Sequence, residues 1–206
     1  MLLYFTGSFV LAFGVILMAK GDLGTTPVNS IAFVLSRILS VNIGIMSALI
    51  FSGYVLLQLA ILRRDFRPVD IFQVAVSVLY GSLLSLFDSI LSFPAPEFYP
   101  LRLLLVLVGV VIIGFGIFLY LRAAMVPQPP EGLILAIEKK TDLKLHNIKI
   151  ISDSTLVVVS VVISLIAGGG IAGIREGTLI AMLGIGKALG FFTEQLGEKV
   201  DRLFRL

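Results

Sequence analysis

The chain has no cysteine and a single histidine, His146. Without cysteine there is no disulfide framework, no thiol nucleophile and no thiolate metal site, and one histidine excludes a histidine-rich metal cluster. The sequence also shows no Ser/His/Asp set, no metal-ligand helix motif and no pair of carboxylates within an apolar run. We therefore expect that the protein is not an enzyme and that it needs no metal or other cofactor.

Charge is also scarce, because Asp, Glu, Lys and Arg make up 14% of the 206 residues whereas 58% are hydrophobic. The mean hydropathy is +1.07. Such a chain cannot cover itself with a polar surface, so the composition predicts a protein of the lipid bilayer. The net charge of +3 does not indicate a nucleic-acid partner, since Lys and Arg lie at the ends of apolar runs, where they orient a membrane protein.

Six apolar runs are long enough to cross a hydrocarbon core of about 30 Å, which takes roughly 20 helical residues. They cover residues 2–19, 44–62, 70–91, 102–121, 148–168 and 175–194. The first run lacks the basic region and cleavage site of a secretory signal, so we interpret it as a span. Two shorter runs, 27–39 and 130–138, begin at or next to a proline and are typical of re-entrant or interfacial helices. The sequence thus predicts an all-α polytopic membrane protein with six transmembrane helices plus two short re-entrant or broken helices.

An internal repeat relates the two halves of the chain. Residues correspond at an offset of 102, which becomes 105 after three extra residues in the second half. Corresponding pairs are Gly7 and Gly109, Phe13 and Phe115, Gly14 and Gly116, Pro27 and Pro129, Asn42 and Asn147, and Gly81 and Gly186. Each half therefore contains a span, a short helix and two further spans.

Because three spans per half is an odd number, the second half must enter the membrane in the opposite direction. The sequence thus predicts a 3+3 inverted repeat, with repeat 1 at 1–92, repeat 2 at 101–195 and a short basic C-terminal tail at 196–206. Neither half is large enough to bury its own polar breaks, so we expect a single membrane domain over residues 1–206.

Basic residues predict the orientation, because loops rich in Lys and Arg face the cytoplasm. Placing RRDFR at 63–67 inside puts 93–100 outside and brings 138–149 and the basic tail inside, with both termini cytoplasmic. Three basic residues then fall on or near the outer side: Lys20, Arg37 and Arg175. A rival topology with eight spans forms two parallel halves and puts 138–149 and the tail outside, against the charge rule.

The loops GDLGTTP (21–27) and MVPQPPEG (125–132) lie at equivalent places before the two short helices. Irregular backbone at membrane depth must be buried in protein or line a cavity, and helix N-termini favour anions. We therefore expect an anionic or zwitterionic solute between the loops. The candidate substrate-binding side chains are Thr25, Thr26, Asn29, Gln128 and Glu131. The alternative for Thr26 and Asn29 is that they only cap a helix.

Lys187 is a further candidate substrate-binding residue, because it lies near the centre of the sixth apolar run. A charge there should face the bundle interior, be paired or line water, whereas the alternative is that Lys187 reaches a membrane interface. Glu131 and Asp153 are its candidate partners, and Asp153 is also a candidate for ion binding. Asp70 is interpreted first as a helix-start residue.

Two further stretches have plain structural interpretations. Arg175 and Glu176 are interpreted as an ion pair at a membrane boundary, and the glycine-rich stretch 168–173 as a flexible turn between two spans. That stretch is not a phosphate-binding loop, because it lacks the Lys and the Ser or Thr that follow such a loop.

The stretch Gly21-Asp22-Leu23-Gly24-Thr25-Thr26-Pro27, leading into a short helix, resembles the bacterial YczE/YyaS/YitT family of integral membrane proteins. The resemblance implies a multi-pass protein of the bacterial inner membrane that is suspected to be a transporter. The second half departs from the motif, because residues 123–126 replace its glycines. The span count is also similar to that of the vitamin-binding subunits of energy-coupling-factor transporters, although no motif supports that match.

These observations predict a small-solute permease whose partners are the lipid bilayer and the solute. The competing hypotheses are a non-transporting membrane scaffold or accessory subunit and a solute-binding subunit of a larger transporter. Small residues along the spans at 81–85 and 184–190 also leave room for a homo-oligomer or for a membrane-protein partner.

Overall fold

The computed structural model describes residues 1–123, 125–143, 145–167 and 174–204. Within these residues the chain forms eight α-helices and no strand. They are α1 (Leu2–Lys20), α2 (Pro27–Leu39), α3 (Ile43–Leu62), α4 (Phe72–Ile90), α5 (Tyr99–Arg122), α6 (Pro129–Lys140), α7 (Leu145–Ile166) and α8 (Glu176–Phe204). Two short 3-10 turns, Arg63–Asp65 and Pro68–Ile71, lie between α3 and α4. The turn predicted at 168–173 lies outside the described residues.

Six of these helices are long and apolar enough to cross a membrane, namely α1, α3, α4, α5, α7 and α8. They coincide with the six predicted runs, and the predicted all-helical fold is confirmed. The last helix is longer than the apolar run at 175–194, because α8 continues to Phe204. Its extension is stabilised as a helix by ordinary polar pairs, including the ion pair of Arg202 with Glu198 one turn before it.

The short helices are those predicted, and they begin at Pro27 and Pro129. At about 1.5 Å per residue, α2 with 13 residues and α6 with 12 extend for roughly 20 Å, which is well short of a hydrocarbon core. A proline suits the first turn because no helical hydrogen bond is required of its nitrogen. Length therefore distinguishes these two helices from the six spans.

One ion pair decides between the six-span and eight-span topologies. Lys140 Nζ, at the end of α6, lies 2.5 Å from Asp65 Oδ2, just after α3. Both residues must face the same side of the membrane, so the chain crosses an even number of times between them. The helices α4 and α5 supply two crossings, and α6 then cannot cross. The eight-span alternative, which separates these two segments, is inconsistent with this contact.

The contacts divide the chain into two compact units. Unit 1 comprises Met1–Thr26, Leu86–Met125 and Gly173–Leu206, and therefore holds α1, α5 and α8. Unit 2 comprises Pro27–Ser85 and Val126–Ala172, and holds α2, α3, most of α4, α6 and α7. Each unit draws helices from both halves of the sequence. The single-domain organisation stays a prediction.

In unit 1, α1 and α5 pack antiparallel through their glycines. A Cβ at Gly7 would lie 2.9 Å from Gly116 O and would press on the backbone of Tyr120. A Cβ at Gly109 would lie 3.0 Å from Gly14 O and 2.8 Å from Met18 Cβ. Glycine is needed at these positions because only a missing side chain lets the two backbones come so close.

The basic residues on the predicted outer side have partners. Lys20 forms an ion pair with Asp88 at 2.8 Å, Arg175 forms one with Glu176 at 3.2 Å, and Arg37 lies over the ring of Phe33 at 4.5 Å. The Arg175–Glu176 pair was predicted from sequence.

In unit 2, α2 packs against α3 and α7, and α6 packs against α3 and α7. The helices α3 and α4 approach closely at Gly44 and Gly81, where a Cβ on either glycine would overlap the carbonyl oxygen of the other. Asn42 starts α3, because its Oδ1 accepts a hydrogen bond from Gly44 N at 2.8 Å. This packing surrounds a core that contains many polar side chains.

Candidate functional site

The core of unit 2 contains an unusual number of polar side chains for a membrane protein. Each of them is 7% exposed or less: Asn29, Ser30, Ser47, Gln58, Asp70, Gln73, Ser77, Gln128, Asp153, Ser160 and Ser164. Polar groups within spans are expensive to bury, and they are kept where they bond one another or serve a site. The hydrogen bonds of this core therefore show which groups are already satisfied.

Gln58 on α3 and Gln73 on α4 form a reciprocal amide pair. Gln58 Nε2 donates to Gln73 Oε1 at 2.8 Å, and Gln73 Nε2 donates to Gln58 Oε1 at 3.1 Å. Gln58 Nε2 also donates to Pro129 O, in the first turn of α6, at 3.1 Å. Gly132 leaves the room for the pair, because a Cβ there would lie 2.6 Å from Gln73 Oε1. Three helices of unit 2 thus meet at two amides.

Asn29 and Tyr80 form a second polar contact in the same unit. Asn29 Nδ2 donates to the Tyr80 hydroxyl at 3.3 Å, which joins the first turn of α2 to α4. The Tyr80 ring is stacked on Phe51 with a centroid distance of 5.2 Å. Asn29 was a predicted site residue with helix capping as the alternative, and its amide reaches another helix.

Three buried donors in this core have no partner among the described residues. They are the hydroxyl of Ser47, the hydroxyl of Tyr54, which is 6% exposed, and Nε2 of Gln128, which is 3% exposed. Tyr54 lies one turn before Gln58 on α3, and Gln128 directly precedes Pro129. Buried donors are almost always hydrogen-bonded, so each of these three calls for a bound water or a ligand.

Two carboxylates belong to the same core. Glu131, in the first turn of α6, acts electrostatically on Tyr80, and Asp153 on α7 acts on Tyr54. Asp153 Oδ1 accepts a hydrogen bond from Lys149 Nζ at 2.8 Å. Asp153, one of the two candidate partners of Lys187, is thus paired with Lys149 on its own helix.

A cavity of about 220 Å³ reaches the Gln58–Gln73 pair from one end of unit 2. Its lining residues are Gln58, Leu62, Asp65, Arg67, Asp70, Gln73, Pro127, Gly132, Leu135, Ala136 and Lys139. Arg67 Nε and Nη2 donate to the two oxygens of Asp70 at 3.0 and 2.8 Å, and this carboxylate raises the pKa of Arg67. Asp70, interpreted from sequence as a helix-start residue, therefore also lines a cavity.

Three predicted site residues belong to unit 1. Thr25 and Thr26 are buried, and the Thr25 hydroxyl has no partner among the described residues. Their loop is fixed on the start of α8, since Gly177 N donates to Leu23 O at 2.7 Å. Gly24 has a φ of +112°, which glycine adopts readily, and a Cβ there would overlap Thr178.

Lys187, the third of them, is exposed on α8 and makes no ion pair within the described part of the chain. The expectation of an inward-facing or paired lysine is therefore not met there. An apolar run defines a span but does not show which face of the helix packs against other helices. The position of Lys187 along the run therefore could not show whether it faces the bundle interior. A role of Lys187 in solute binding stays a prediction.

Sequence reasoning missed Gln58, Gln73, Tyr54 and Tyr80. All four lie within the predicted spans, as Gln58 does in LLQLAIL. For the two glutamines, an isolated amide within a span was the available signal. The same residue types also serve as ordinary contacts between helices, so sequence could not separate the two roles. No group of three His, Cys, Asp or Glu side chains among the described residues lies close enough to hold a metal ion.

The six spans and the polar core define the class of protein, a polytopic α-helical membrane protein. Residues 1–194 match DUF6198, a family of unknown function, and the chain belongs to that family. The chain is also similar to the uncharacterized membrane protein YczE of Bacillus subtilis (strain 168), with 31% identity over 139 residues. That match covers 67% of this chain and 62% of YczE, so the chain spans less than two thirds of its relative. No solved structure matches it. The predicted resemblance to a YczE-like membrane family is confirmed.

Proposed function

We propose that the protein is a small-solute permease and that the solute binds in the polar core of unit 2. The proposal depends above all on one observation, the unused hydrogen-bonding groups of Tyr54, one helical turn from Gln58, and of Gln128, which directly precedes Pro129. Groups of this kind destabilise a folded membrane protein unless something bonds them. A solute that passes through the core is a partner that would be present only during transport.

The class of solute follows from the charges around the core. The starts of α2 and α6 carry the partial positive charge of a helix N-terminus, which favours an anion or the carboxylate of a zwitterion. Gln128 and Glu131 lie at the first turn of α6, and Asn29 lies at the equivalent turn of α2. Thr25, Thr26 and Lys187 belong to unit 1, and their contributions to solute binding stay predictions from the sequence.

The mechanism would use the internal repeat. Contacts between α1 and α5 occur in exchanged pairs, since Gly7 meets Tyr120 while Met18 meets Gly109, and residues 7 and 18 correspond to 109 and 120. In unit 2, α2 packs on α7 while its counterpart α6 packs on α3. Exchange of this kind is expected from a two-fold axis between the halves and supports a 3+3 inverted repeat. Transporters with such repeats alternate access by moving one repeat against the other.

The same proposal includes a place in the cell. Both termini would be cytoplasmic in a bacterial inner membrane, because this orientation puts the segments 63–67 and 138–149 on the cytoplasmic side. The protein would not be an enzyme and would need no cofactor. The broader grouping with YyaS and YitT also belongs to the proposal.

The test is transport by the purified full chain in liposomes. Proteoliposomes are incubated with a bacterial metabolite extract, and the compounds taken up are identified by mass spectrometry against empty liposomes. We expect saturable uptake of a small anion or zwitterion. If correctly folded protein in sealed liposomes takes up nothing beyond the empty control, the permease is refuted.

A non-transporting accessory subunit is favoured by a different observation. A groove of about 250 Å³ between α3 and α4 is lined by small residues, including Gly44, Ala48, Ser52, Gly81 and Ser85. Small residues allow a partner helix to approach closely. A membrane protein that copurifies in a fixed ratio, together with the absence of uptake, would support this second function. A solute-binding subunit of a larger transporter would bind its solute without transporting it alone.

A further inference from the structure

The cavity of unit 2 has a polar floor, apolar walls and a charged mouth. Gln58 and Gln73, 2% and 1% exposed, form the floor. Leu62, Leu135 and Ala136 are among the wall residues, and Asp65, Arg67, Asp70 and Lys139 are the charged lining residues. At about 30 Å³ per water molecule, the cavity of about 220 Å³ holds a ligand of roughly seven to ten non-hydrogen atoms.

The floor has hydrogen-bonding capacity that the protein does not use. Gln58 Nε2 directs both of its hydrogens to Gln73 Oε1 and Pro129 O, whereas Gln73 Nε2 uses only one, on Gln58 Oε1. One N–H of Gln73 and one lone pair on each amide oxygen therefore remain unused among the described residues. Neighbouring donor and acceptor groups of this kind match a neutral amide or hydroxyl group. They do not match a second charge.

One cation at the mouth of the cavity, Lys139, has no carboxylate partner among the described residues. Asp70 is held by both donors of Arg67, and Asp65 is held by Lys140. Lys139 makes no ion pair within the described residues, although it acts electrostatically on Asp65. The mouth therefore carries an excess of one positive charge, and the ammonium of Lys139 is free to bind an anion.

We propose that this cavity binds a small carboxylate whose far end carries a neutral amide or hydroxyl group, with the carboxylate at Lys139 and the neutral group on the Gln58–Gln73 pair. This inference deepens the proposed permease and depends on it for transport, but not for binding. It explains why two amides are kept at the base of a cavity with apolar walls. An apolar ligand would leave their unused groups unbonded, which is the basis of strong discrimination by buried polar sites.

The test uses the purified full chain in nanodiscs and calorimetric titration with four probes. Succinamate carries a carboxylate and an amide, 4-methylpentanoate has nearly the same shape but an apolar end, succinate has a second charge, and L-asparagine adds an ammonium group to succinamate. We expect succinamate to bind at least about tenfold more tightly than 4-methylpentanoate and succinate. Equal affinity for succinamate and 4-methylpentanoate, or no binding of succinamate up to about 10 mM, would overturn the inference.

Variants locate the site. Lys139→Gln should weaken succinamate binding about tenfold or more, whereas Lys199→Gln, at another exposed lysine in unit 1, should not. The double variant Gln58→Met/Gln73→Met replaces both members of the pair, so a large loss of stability is not expected. It should lose the preference for succinamate over 4-methylpentanoate while still binding both. Equal effects of the two lysine variants would overturn the inference.

Uptake into proteoliposomes separates this inference from the permease. Binding of succinamate without any uptake would support the cavity and refute autonomous transport. Uptake of a different class of solute, unaffected by Lys139→Gln and by the double variant, would refute the cavity as the site and leave the permease standing.

Discussion

Replacing Tyr54 by phenylalanine removes one buried oxygen and keeps the ring in its place. Tyr54 is 6% exposed, its hydroxyl has no partner among the described residues, and its ring stacks on Phe51 at 5.7 Å. A buried polar group without a partner destabilises a protein by about 1–3 kcal/mol. Tyr54→Phe should therefore raise the stability of the ligand-free protein by about that amount, or by about 2–4 °C in Tm for each kcal/mol.

Tyr80→Phe is the matched control, because Tyr80 is also buried and also stacks on Phe51. Its hydroxyl, unlike that of Tyr54, accepts a hydrogen bond from Asn29. Removing it should lower stability by about 0.5–1.5 kcal/mol, the net contribution of such a bond. The two variants lose the same atom and should shift Tm in opposite directions.

Transport should respond in the opposite sense to stability. If the Tyr54 hydroxyl bonds the solute, Tyr54→Phe should raise KM about 3- to 10-fold for a neutral solute group and up to about 100-fold for a charged one. Thermal unfolding of the ligand-free protein and uptake by proteoliposomes measure the two effects. A variant that is less stable than the wild type and transports normally would refute the reasoning, because the hydroxyl would then have a structural partner.

Three further predictions test the topology, the packing and the role of Lys187. Since the chain has no cysteine, the variants Lys139→Cys and Glu97→Cys each carry a single thiol that can be labelled. We expect the two thiols to be labelled from opposite sides of the membrane. Labelling of both from the same side would support the eight-span topology. Gly44→Ala should destabilise the protein by about 1–3 kcal/mol, because the new Cβ would overlap the backbone of α4. Gly53→Ala is the control: a Cβ there has nothing within 4 Å, so the change should be neutral or stabilise the protein by up to about 1 kcal/mol. Thermal unfolding measures both. Lys187→Ala should leave Tm unchanged, because the side chain is exposed, and should reduce uptake of an anionic solute if the prediction from sequence is right. Unchanged uptake would refute the predicted role of Lys187 in solute binding.

The candidate site was predicted only in part, and the residues show why. Gln128 and Asn29 were found because prolines and polar loops interrupt the apolar pattern beside them, which is a local signal. Gln58 and Gln73 interrupt nothing, since one amide in a turn of leucines still forms a helix. Their role depends on the hydrogen bond between them, which joins α3 to α4, and on the bond from Gln58 to Pro129 O, which adds α6. Lys187 shows the opposite. A charge within an apolar run predicted a binding residue, but the structure places this side chain on an exposed face of α8.

The sequence by itself determined that the protein lies in a lipid bilayer, how many spans it has and where the two short helices lie. This was possible because a chain in lipid must satisfy its backbone hydrogen bonds within each segment, so hydrophobic length and proline positions define the helices locally. Only the tertiary structure decided that α6 returns to the side of Asp65, that Gly7 meets Tyr120, and that Gln58 faces Gln73 over a cavity. These are contacts between residues far apart in the chain. They depend on which faces of the helices pack together, and the apolar composition of a span is nearly the same on every face.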